Sequence, residues 1–507
     1  MNKKLKIFLI LMISIFLIIG GVYGYKRYKK YDAYKTDAVF LLDFLEDNYP
    51  FFEVKEKKLN YNFLDYKKEL IKKISKSKND TEFIKNVSLT MNLLQNNHSR
   101  ISFNSLIFEH SGLYDSNVDL KEKTEYWADN YLKTFYIPEI KWKYVQGKYI
   151  VTKSKNEKIP VGSMINKFNG KSVSDYLYDN KDIYYLLKDS KRNQLKDSKR
   201  NQYYIYEDSY FKRDGSPDNI EIEYKNEKIN STIHYETYSK ELEDWYYGDF
   251  INSSDNNIVL DIVNEGKTAY IKIRSFNGEY MAKNQATIQD FLLNQYADVD
   301  NIVIDIRGNG GGNNQFGEFL ISALSEKPIY MSSYDCFRDT KFMDEYYFSK
   351  IFNEEITQSQ MPKNNYDLNN FRIYDVDITI NPYGNSINFQ GDIYVLVDDM
   401  VYSASEYFIS IVKDTKFAKI IGTTTGGDGL GREPIATLLP NSKIAIQFSS
   451  TLSTNSVGVA NEEVHTEPDM YIEQDLNDYL KYLNSDLDNI ERSKYDTVYN
   501  KVMSILK

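Results

Sequence analysis

Four short stretches of the chain hold residue types that do chemistry. Asp305-Ile-Arg-Gly-Asn-Gly-Gly-Gly312 follows an apolar run. Its glycines let a backbone turn tightly and point amides at a ligand. Neither Gly308 nor Gly310 opens a G-x-G-x-x-G, and no GK[ST] is present, so dinucleotide and Walker A readings fail. A plain strand-to-helix turn remains, or an oxyanion hole, which needs only one or two free N–H groups. Tyr402-Ser-Ala-Ser-Glu406 follows a second apolar run. Ser403 and Glu406 fit a capping box. Ser403 equally suits a nucleophile at a helix N-terminus, where the dipole favours developing negative charge. Ser410 and Lys413 match S-x-x-K, but no K-T-G or S-D-N accompanies them, so that match is set aside. His98, in Leu93-Leu-Gln-Asn-Asn-His-Ser-Arg100, is either a structural residue or a base. Asn461-Glu-Glu-Val-His465-Thr-Glu467-Pro-Asp469 reads as a polar loop.

The rest of the composition narrows the chemistry. At 507 residues the chain is too long for one ordinary domain. A hydrophobic fraction of 42% excludes wholesale disorder, and 24 Gly with 10 Pro exclude a collagen-like chain. The single cysteine, Cys336, excludes an intrachain disulfide and a Cys-built zinc site. His98, His110, His234 and His465 stand far apart, with no HExxH pair. Lys and Arg number 63 against 73 Asp and Glu, a net charge of −10. Seven of the basic residues lie in residues 1–30, which hold no acid, so the remainder carries −17. So acidic a body lacks a footprint for nucleic acid. Ile7–Tyr25 is nineteen residues without a charge, about the span of a bilayer core. It predicts an uncleaved single-pass membrane anchor rather than a signal peptide. The body is then extracytoplasmic and held at the cell membrane, which a lone cysteine fits.

The elements that must position these residues fall into blocks. Residues 32 to about 96 read as helices: Val39, Leu42, Leu45 and Phe63, Tyr66, Leu70 are at helical spacing. A further helix opens at Asp80, capped by Asn79 or Asp80, and runs to Leu94. From about 138 to 237 short strands alternate with turns, with Phe168-Asn-Gly170 a hairpin signal. Leu187–Gln194 repeats without change as Leu195–Gln202, and so charged a duplicate predicts a solvated loop or helix face. From about 257 strands and helices alternate: strands at Thr268–Ile273, Asn301–Ile306, Ile393–Val397, Lys419–Gly422 and Lys443–Phe448, with helices near Gln285–Gln295, from Gln315 and after Ser403. That alternation argues for an α/β core. The last thirty residues read as amphipathic helix.

Taken in order, DIRGNGGG, SASE, a Gly-rich segment and EPDMYIE resemble the C-terminal-processing (tail-specific) serine peptidase family, over about 35 to 480. Gly162-Ser-Met-Ile-Asn-Lys-Phe-Asn-Gly-Lys-Ser172 looks like the turn and strand of a PDZ domain. The resemblance implies an α/β (α+β multidomain) fold with a ββα-type, crotonase-like peptidase core. The expected domains are 1–30 anchor, 31–137 helical region with His98, 138–240 PDZ-like module, 241–480 peptidase core and 481–507 helical tail. The resemblance makes Ser403 the nucleophile and assigns the oxyanion hole to Gly310, Gly311 and the N–H of Ala404. Glu406 and Asp414 fall on supporting motif positions.

One departure bears on mechanism. The lysine-base branch of the family carries T-F-G-K-G, where this chain has Thr424-Thr-Gly-Gly-Asp428-Gly. Asp428 stands in the lysine's place, and a carboxylate is a poor substitute for a neutral amine. A second branch, similar to the tricorn core and the chlamydial protease-like factor, takes its base from a D-G-H-T histidine and a glutamate before a late P-D. Asn96-Asn97-His98-Ser99 and Glu462 match these, with Asn96 in the aspartate's place, Asn97 in the glycine's, and Glu463 as a competitor. His465 sits where the family often has glycine and reads as a loop residue. The resemblance thus implies a Ser403–His98–Glu462 serine endopeptidase acting on protein or peptide substrates, with no cofactor, metal or nucleic acid. The alternative is an inactive peptide- or ligand-binding scaffold on the same fold.

Overall fold

In the computed structural model, residues 3–103, 120–191, 199–207, 209–247, 257–295, 298–346, 348, 355–362, 365–485 and 493–506 are described. Most side chains before Tyr25 lie outside that description.

The C-terminal part of the chain is built on a six-stranded sheet in the order Ile258–Val263, Thr268–Ile273, Asn301–Asp305, Asp392–Val397, Lys419–Gly422, Met470–Tyr471. The first pair is antiparallel and the rest are parallel. Ile271 faces Ile304, Ile304 faces Val395 and Val395 faces Ile420, so one row of branched side chains crosses the sheet. That face packs under the helices Met281–Gln295, Asn314–Leu324 and Ala404–Thr415. The alternate residues Tyr270, Val303, Leu396 and Ile421 face the other way, under Val502 and Met503 of the helix Thr497–Ile505. Burial on both faces is why these strands read as near-continuous apolar runs. A four-stranded antiparallel sheet (Glu355–Ile356, Phe371–Ile380, Ile329–Arg338, Thr451–Thr454) stands beside this core.

The preceding module is an antiparallel sheet in the order Glu227–Ile233, Asp218–Tyr224, Met164–Phe168, Lys148–Ser154, Ile140–Val145, with the helix Val173–Asp179. Its hairpin at Asn169-Gly170 has φ of 47° and 80°, as a primed turn requires. Its tyrosines gather on one buried carboxylate. Asp218 accepts hydrogen bonds from the hydroxyls of Tyr176 (3.0 Å), Tyr210 (3.2 Å) and Tyr235, and from Lys212 Nζ (2.9 Å). Tyrosine lets this core stay aromatic while its polar tips satisfy a charge.

The N-terminal helices share one buried core with this module. Leu41 and Leu45 belong to the same cluster as Trp142 and Ile222. The helix Asp80–Asn92 is capped by Asn79, whose side chain accepts from the N–H of Glu82. The expected helix across Phe63–Leu70 divides, because Asn62 caps a separate 3₁₀ turn at Phe63–Tyr66 before Lys67–Ser75 begins.

The expected membrane anchor at residues 1–30, and the cell-membrane location built on it, do not hold. Among the described residues no helix is long and apolar enough to cross a membrane. The apolar stretch belongs to one unbroken helix, Lys3–Asn48. That helix passes through exposed Tyr25, Arg27 and Tyr28 and then seats Ala38, Leu41, Leu42 and Leu45 in the core. The positions 30/31, 137/138, 240/241 and 480/481 lie in this helix, the strand Tyr136–Pro138, the helix Lys240–Tyr247 and the helix Leu476–Leu483.

The duplicated octapeptide is not a solvated loop. Leu187 and Asp189 are buried, and Ser190 Oγ lies 3.1 Å from Thr424 Oγ1 beyond the strand Lys419–Gly422. Arg200 of the second copy makes a paired contact to Glu473, one arm of it 2.9 Å. Residues 192–198 lie outside the described residues. Removing either copy leaves the same chain, in which Leu187–Lys191 runs directly into Arg200–Gln202. All the contacts just named survive on paper, and a shorter loop closes at slightly lower entropic cost. A one-copy variant should unfold cooperatively with a Tm within a few degrees of the parent, by calorimetry. Loss of cooperative unfolding would show that the intervening residues carry structure.

Candidate active site

Three neighbouring parallel strands deliver the site from their C-terminal ends, where ligands gather in open α/β sheets. Asn301–Asp305 runs into the glycine loop, Asp392–Val397 leads to Ser403, and Lys419–Gly422 leads to Asp428.

Ser403 precedes the helix Ala404–Thr415 with φ 57° and ψ −126°. A non-glycine residue held there stores about 1–3 kcal/mol of strain. The capping box expected of Ser403 and Glu406 does not form, since the Ser403 side chain makes no cap hydrogen bond. Its Oγ lies 3.1 Å from Nε2 of His98 instead. The strained turn is held from outside: Ser403 N–H donates to Gly427 O at 3.3 Å, and Ser405 Oγ donates to Asn309 O at 2.5 Å.

His98 arrives from 305 residues away. Its loop is a turn around Asn96, whose Oδ1 accepts the His98 N–H (3.1 Å) and the Ser99 hydroxyl (2.9 Å). Gln95 fastens the loop to the module, donating to Tyr184 O at 2.7 Å and accepting from Leu186 N–H at 2.9 Å. Just past it the strand Arg100–Ser102 pairs antiparallel with the core, Arg100 opposite Gln447.

The ring's other nitrogen, Nδ1, donates to Oδ2 of Asp428 at 2.8 Å. With Asp428 as acceptor, Nδ1 carries the hydrogen and Nε2 is left to accept from Ser403. The same Asp428 oxygen also accepts from Asn96 Nδ2 (2.7 Å), Tyr402 Oη (2.9 Å) and Ser449 Oγ (3.2 Å). Burial pushes the Asp428 carboxyl up, but the facing His98 and these donors outweigh it and hold it below the usual carboxylate range. Burial pushes the His98 ring down, and the Asp428 charge and hydrogen bond overcome it, so the imidazole stays above its ordinary value.

Glu462, the expected partner of His98, does not hydrogen-bond the ring. It is buried one place further back, where Oε1 accepts from Asn96 Nδ2 at 3.2 Å and from Lys55 Nζ. The physical reason is Asp428, whose short side chain on the loop after Lys419–Gly422 already occupies the position facing Nδ1. Sequence reasoning met Asp428 only as a missing lysine. The usable signal was a carboxylate in a Gly-Gly-Asp-Gly turn, where a charge sits beside little else that could demand it. Its competitor Glu463 accepts from the Tyr366 hydroxyl at 2.7 Å.

The remaining expected residues divide. Gly311 gives its N–H to Asn309 Oδ1 at 3.0 Å, so it is not an oxyanion donor. Its φ is 103°, and an added Cβ would stand 2.7 Å from Tyr402 O and 2.8 Å from Ala404 N. It allows the close approach of the loop to the Ser403 turn. Gly310 faces open space, with nothing within 4 Å of an added Cβ. Glu406 is buried, accepts from Asn461 Nδ2 (2.7 Å) and Thr466 Oγ1 (2.6 Å), and burial pushes its carboxyl up to about 7. It ties the helix Ala404–Thr415 to the segment bearing Glu462. Asp414 lies far down that helix and accepts from Ser456. Asp305 and Arg307 of the glycine-loop motif are structural: Arg307 bonds Asp305 at 2.7 Å and Asp496 at 2.8 Å, clamping the C-terminal helix. His465 donates Nδ1–H to Thr425 O at 2.8 Å and faces Lys58 with Nε2.

The model of peptidase family S41 matches residues 267–472, the segment that carries the glycine loop, Ser403, Asp428 and Glu462. That segment is similar to the family, and the match supports a serine-type peptidase. The fold is similar to that of mature CPAF complexed with lactacystin, at 14% identity over 93% of this chain and 99% of that one, TM-score 0.57. A mutant of CPAF matches at 12% identity over 94% and 98%, TM-score 0.60. The photosystem II D1 C-terminal processing protease follows at 15% identity over 89% and 98%, TM-score 0.39. Among curated proteins no sequence matches significantly.

The glycine geometry separates two neighbours. Gly311→Ala should lose activity and lower Tm by several degrees, because backbone on both sides of the new methyl would have to move at a positive φ. Gly310→Ala should keep the parent's Tm. Equal melting of the two variants would show that the loop does not press on the nucleophile turn.

Proposed function

We propose that the protein is a serine endopeptidase that uses Ser403, His98 and Asp428, with oxyanion donors from the N–H groups of Gly310 and Ala404. The observation that carries this reading is one imidazole ring bridging Ser403 Oγ at 3.1 Å and Asp428 Oδ2 at 2.8 Å. A serine hydroxyl is a weak nucleophile on its own and needs a base at this distance. His98 Nε2 takes the hydroxyl proton as Oγ bonds to the peptide carbonyl carbon. Asp428 stabilises the imidazolium that results and keeps the hydrogen on Nδ1. The negative carbonyl oxygen is received by backbone N–H groups. Gly310 faces open space, and Ala404 opens the helix, where the dipole adds to the attraction. Collapse of the tetrahedral species breaks the C–N bond, and His98 returns the proton to the leaving amine. A water, deprotonated by the same ring, then releases the acyl group and regenerates Ser403. The 3.1 Å between His98 Nε2 and Ser403 Oγ favours this reading over an inactive scaffold on the same fold. Protein and peptide chains are the substrate class that the family implies.

The test is degradation of an unfolded reporter protein. Ser403→Ala and His98→Ala should each lower turnover by about four to six orders of magnitude with no loss of fold. A serine serving only its helix would cost about 1 kcal/mol of stability and leave cleavage intact.

His98 must be neutral to accept the proton. Its ring stays above the ordinary value near 6.5, so kcat/KM should fall with decreasing pH, with its half-point above about 6.5. Asp428→Asn should cost about 10⁴ in kcat. It removes the leading cause that raises the ring while burial remains, so the His98 titration followed by NMR should move to lower pH. A ring that titrates unchanged in Asp428→Asn would remove Asp428 from the mechanism.

A further inference from the structure

Behind Asp428 lies a buried polar chain that the cleavage chemistry does not use directly. Asn96 is buried and fully engaged: Oδ1 holds the backbone of His98, and Nδ2 is shared between Asp428 Oδ2 (2.7 Å) and Glu462 Oε1 (3.2 Å). A carboxamide has two N–H bonds, so it serves two carboxylates at once, which an aspartate at the same position would repel. Glu462 would otherwise be a second buried negative charge one amide away from Asp428. Lys55, itself buried, sits on Glu462 Oε1 from the helix Phe52–Leu59. Lys58, one turn on, donates to the Glu462 carbonyl at 3.4 Å and faces His465.

We propose that Asn96, Glu462 and Lys55 are positioning residues that fix Asp428, and through it the His98 ring, making the helix Phe52–Leu59 an obligatory part of the active site. This rests on the Ser403–His98–Asp428 reading. Lys55 cancels the charge of Glu462. Glu462 orients the Asn96 amide. Asn96 presents one N–H to Asp428 and its oxygen to the His98 backbone, so it sets both partners of the Nδ1 hydrogen bond. The line of contacts from Lys55 through Glu462 and Asn96 to Asp428 runs through side chains with almost no access to solvent, where a misplaced dipole is not corrected by water.

The charges that bear on these groups come from several elements. His98 faces Asp428, Arg100 and Glu462, and the Tyr402 ring lies 5.0 Å from its own. Glu462 faces Lys55, Lys58 and Asp428, while Glu406, Tyr49, Tyr185 and Tyr402 sense it from the other sides. Glu462 adds to the field that raises the His98 ring, and Arg100 opposes it.

The experiment compares Glu462→Gln, Asn96→Ala and Lys55→Met with the parent, Ser403→Ala and Asp428→Asn in the full chain. It measures kcat and KM separately across pH. Glu462→Gln keeps an acceptor for Asn96 but removes the charge. It should lower kcat about 10- to 100-fold, by analogy with the loss of a hydrogen-bond partner behind a metal-ligating histidine. KM should stay unchanged, and the half-point of the acid limb should move to lower pH. Asn96→Ala should lose more, and Glu462→Gln added to it should cost almost nothing further, since the two act in series. Lys55→Arg should recover activity lost in Lys55→Met. If Lys55→Met does not fold, the isosteric Glu462→Gln carries the test alone.

Two results would overturn the proposal. A loss in Glu462→Gln as large as that in Asp428→Asn would make Glu462 a direct partner of the ring. An unchanged pH profile and kcat would leave it a bystander. The underlying reading fails separately, if Ser403→Ala still cleaves.

Discussion

The structure turns on one oxygen atom. Oδ2 of Asp428 is buried, charged and contacted by four donors: His98, Asn96, Tyr402 and Ser449. A carboxylate taken out of water is expensive unless its partners are in place. Those partners come from the N-terminal helical region, the turn before the nucleophile helix and the segment after the strand Ala445–Phe448. Satisfying the charge therefore requires the region bearing His98 to dock on the core. The same docking that stabilises the fold sets the hydrogen on Nδ1 and frees Nε2 for Ser403. Strain at Ser403 and the close approach of Gly311 are tolerated because this arrangement over-determines the turn.

Much of the fold was legible because its central strands are buried on both faces and its helices are periodic. The strands Thr268–Ile273 and Lys419–Gly422 lie where the apolar runs put them, and the helix after Ser403 begins at Ala404. The primed turn at Asn169-Gly170 and the Asn79 cap were readable from single residues. The first helix was misread because apolar length alone does not say where a helix ends. Its continuation into the core depends on Leu41 and Leu45 finding partners elsewhere in the chain. The duplicate was misread for the opposite reason. Its charged composition suggests solvent, yet Asp189 is buried and Arg200 is matched to Glu473, nearly three hundred residues on.

The site shows the same division. Ser403, His98 and the glycine loop were readable as types and order, and the structure brings them together. Which carboxylate meets the imidazole was not readable. Asp428 and Glu462 are both buried and both touch Asn96, and only Asp428 also meets the imidazole. The roles of Gly310 and Gly311 also differ for a reason invisible in a run of three glycines. The Gly311 N–H is consumed by Asn309, whereas a Cβ added at Gly310 would meet nothing within 4 Å.

The sequence distance between the base and the nucleophile has a consequence for biosynthesis. His98 leaves the ribosome long before Ser403, and Asp428 and Glu462 follow later still. Pairing across 305 and 330 residues is a contact of high order, the kind that slows folding. On the proposed reading, an N-terminal fragment that ends before Asp428 lacks the carboxylate that faces His98. The topology would then act as a timer, withholding cleavage from a growing chain until Asp428 has been made.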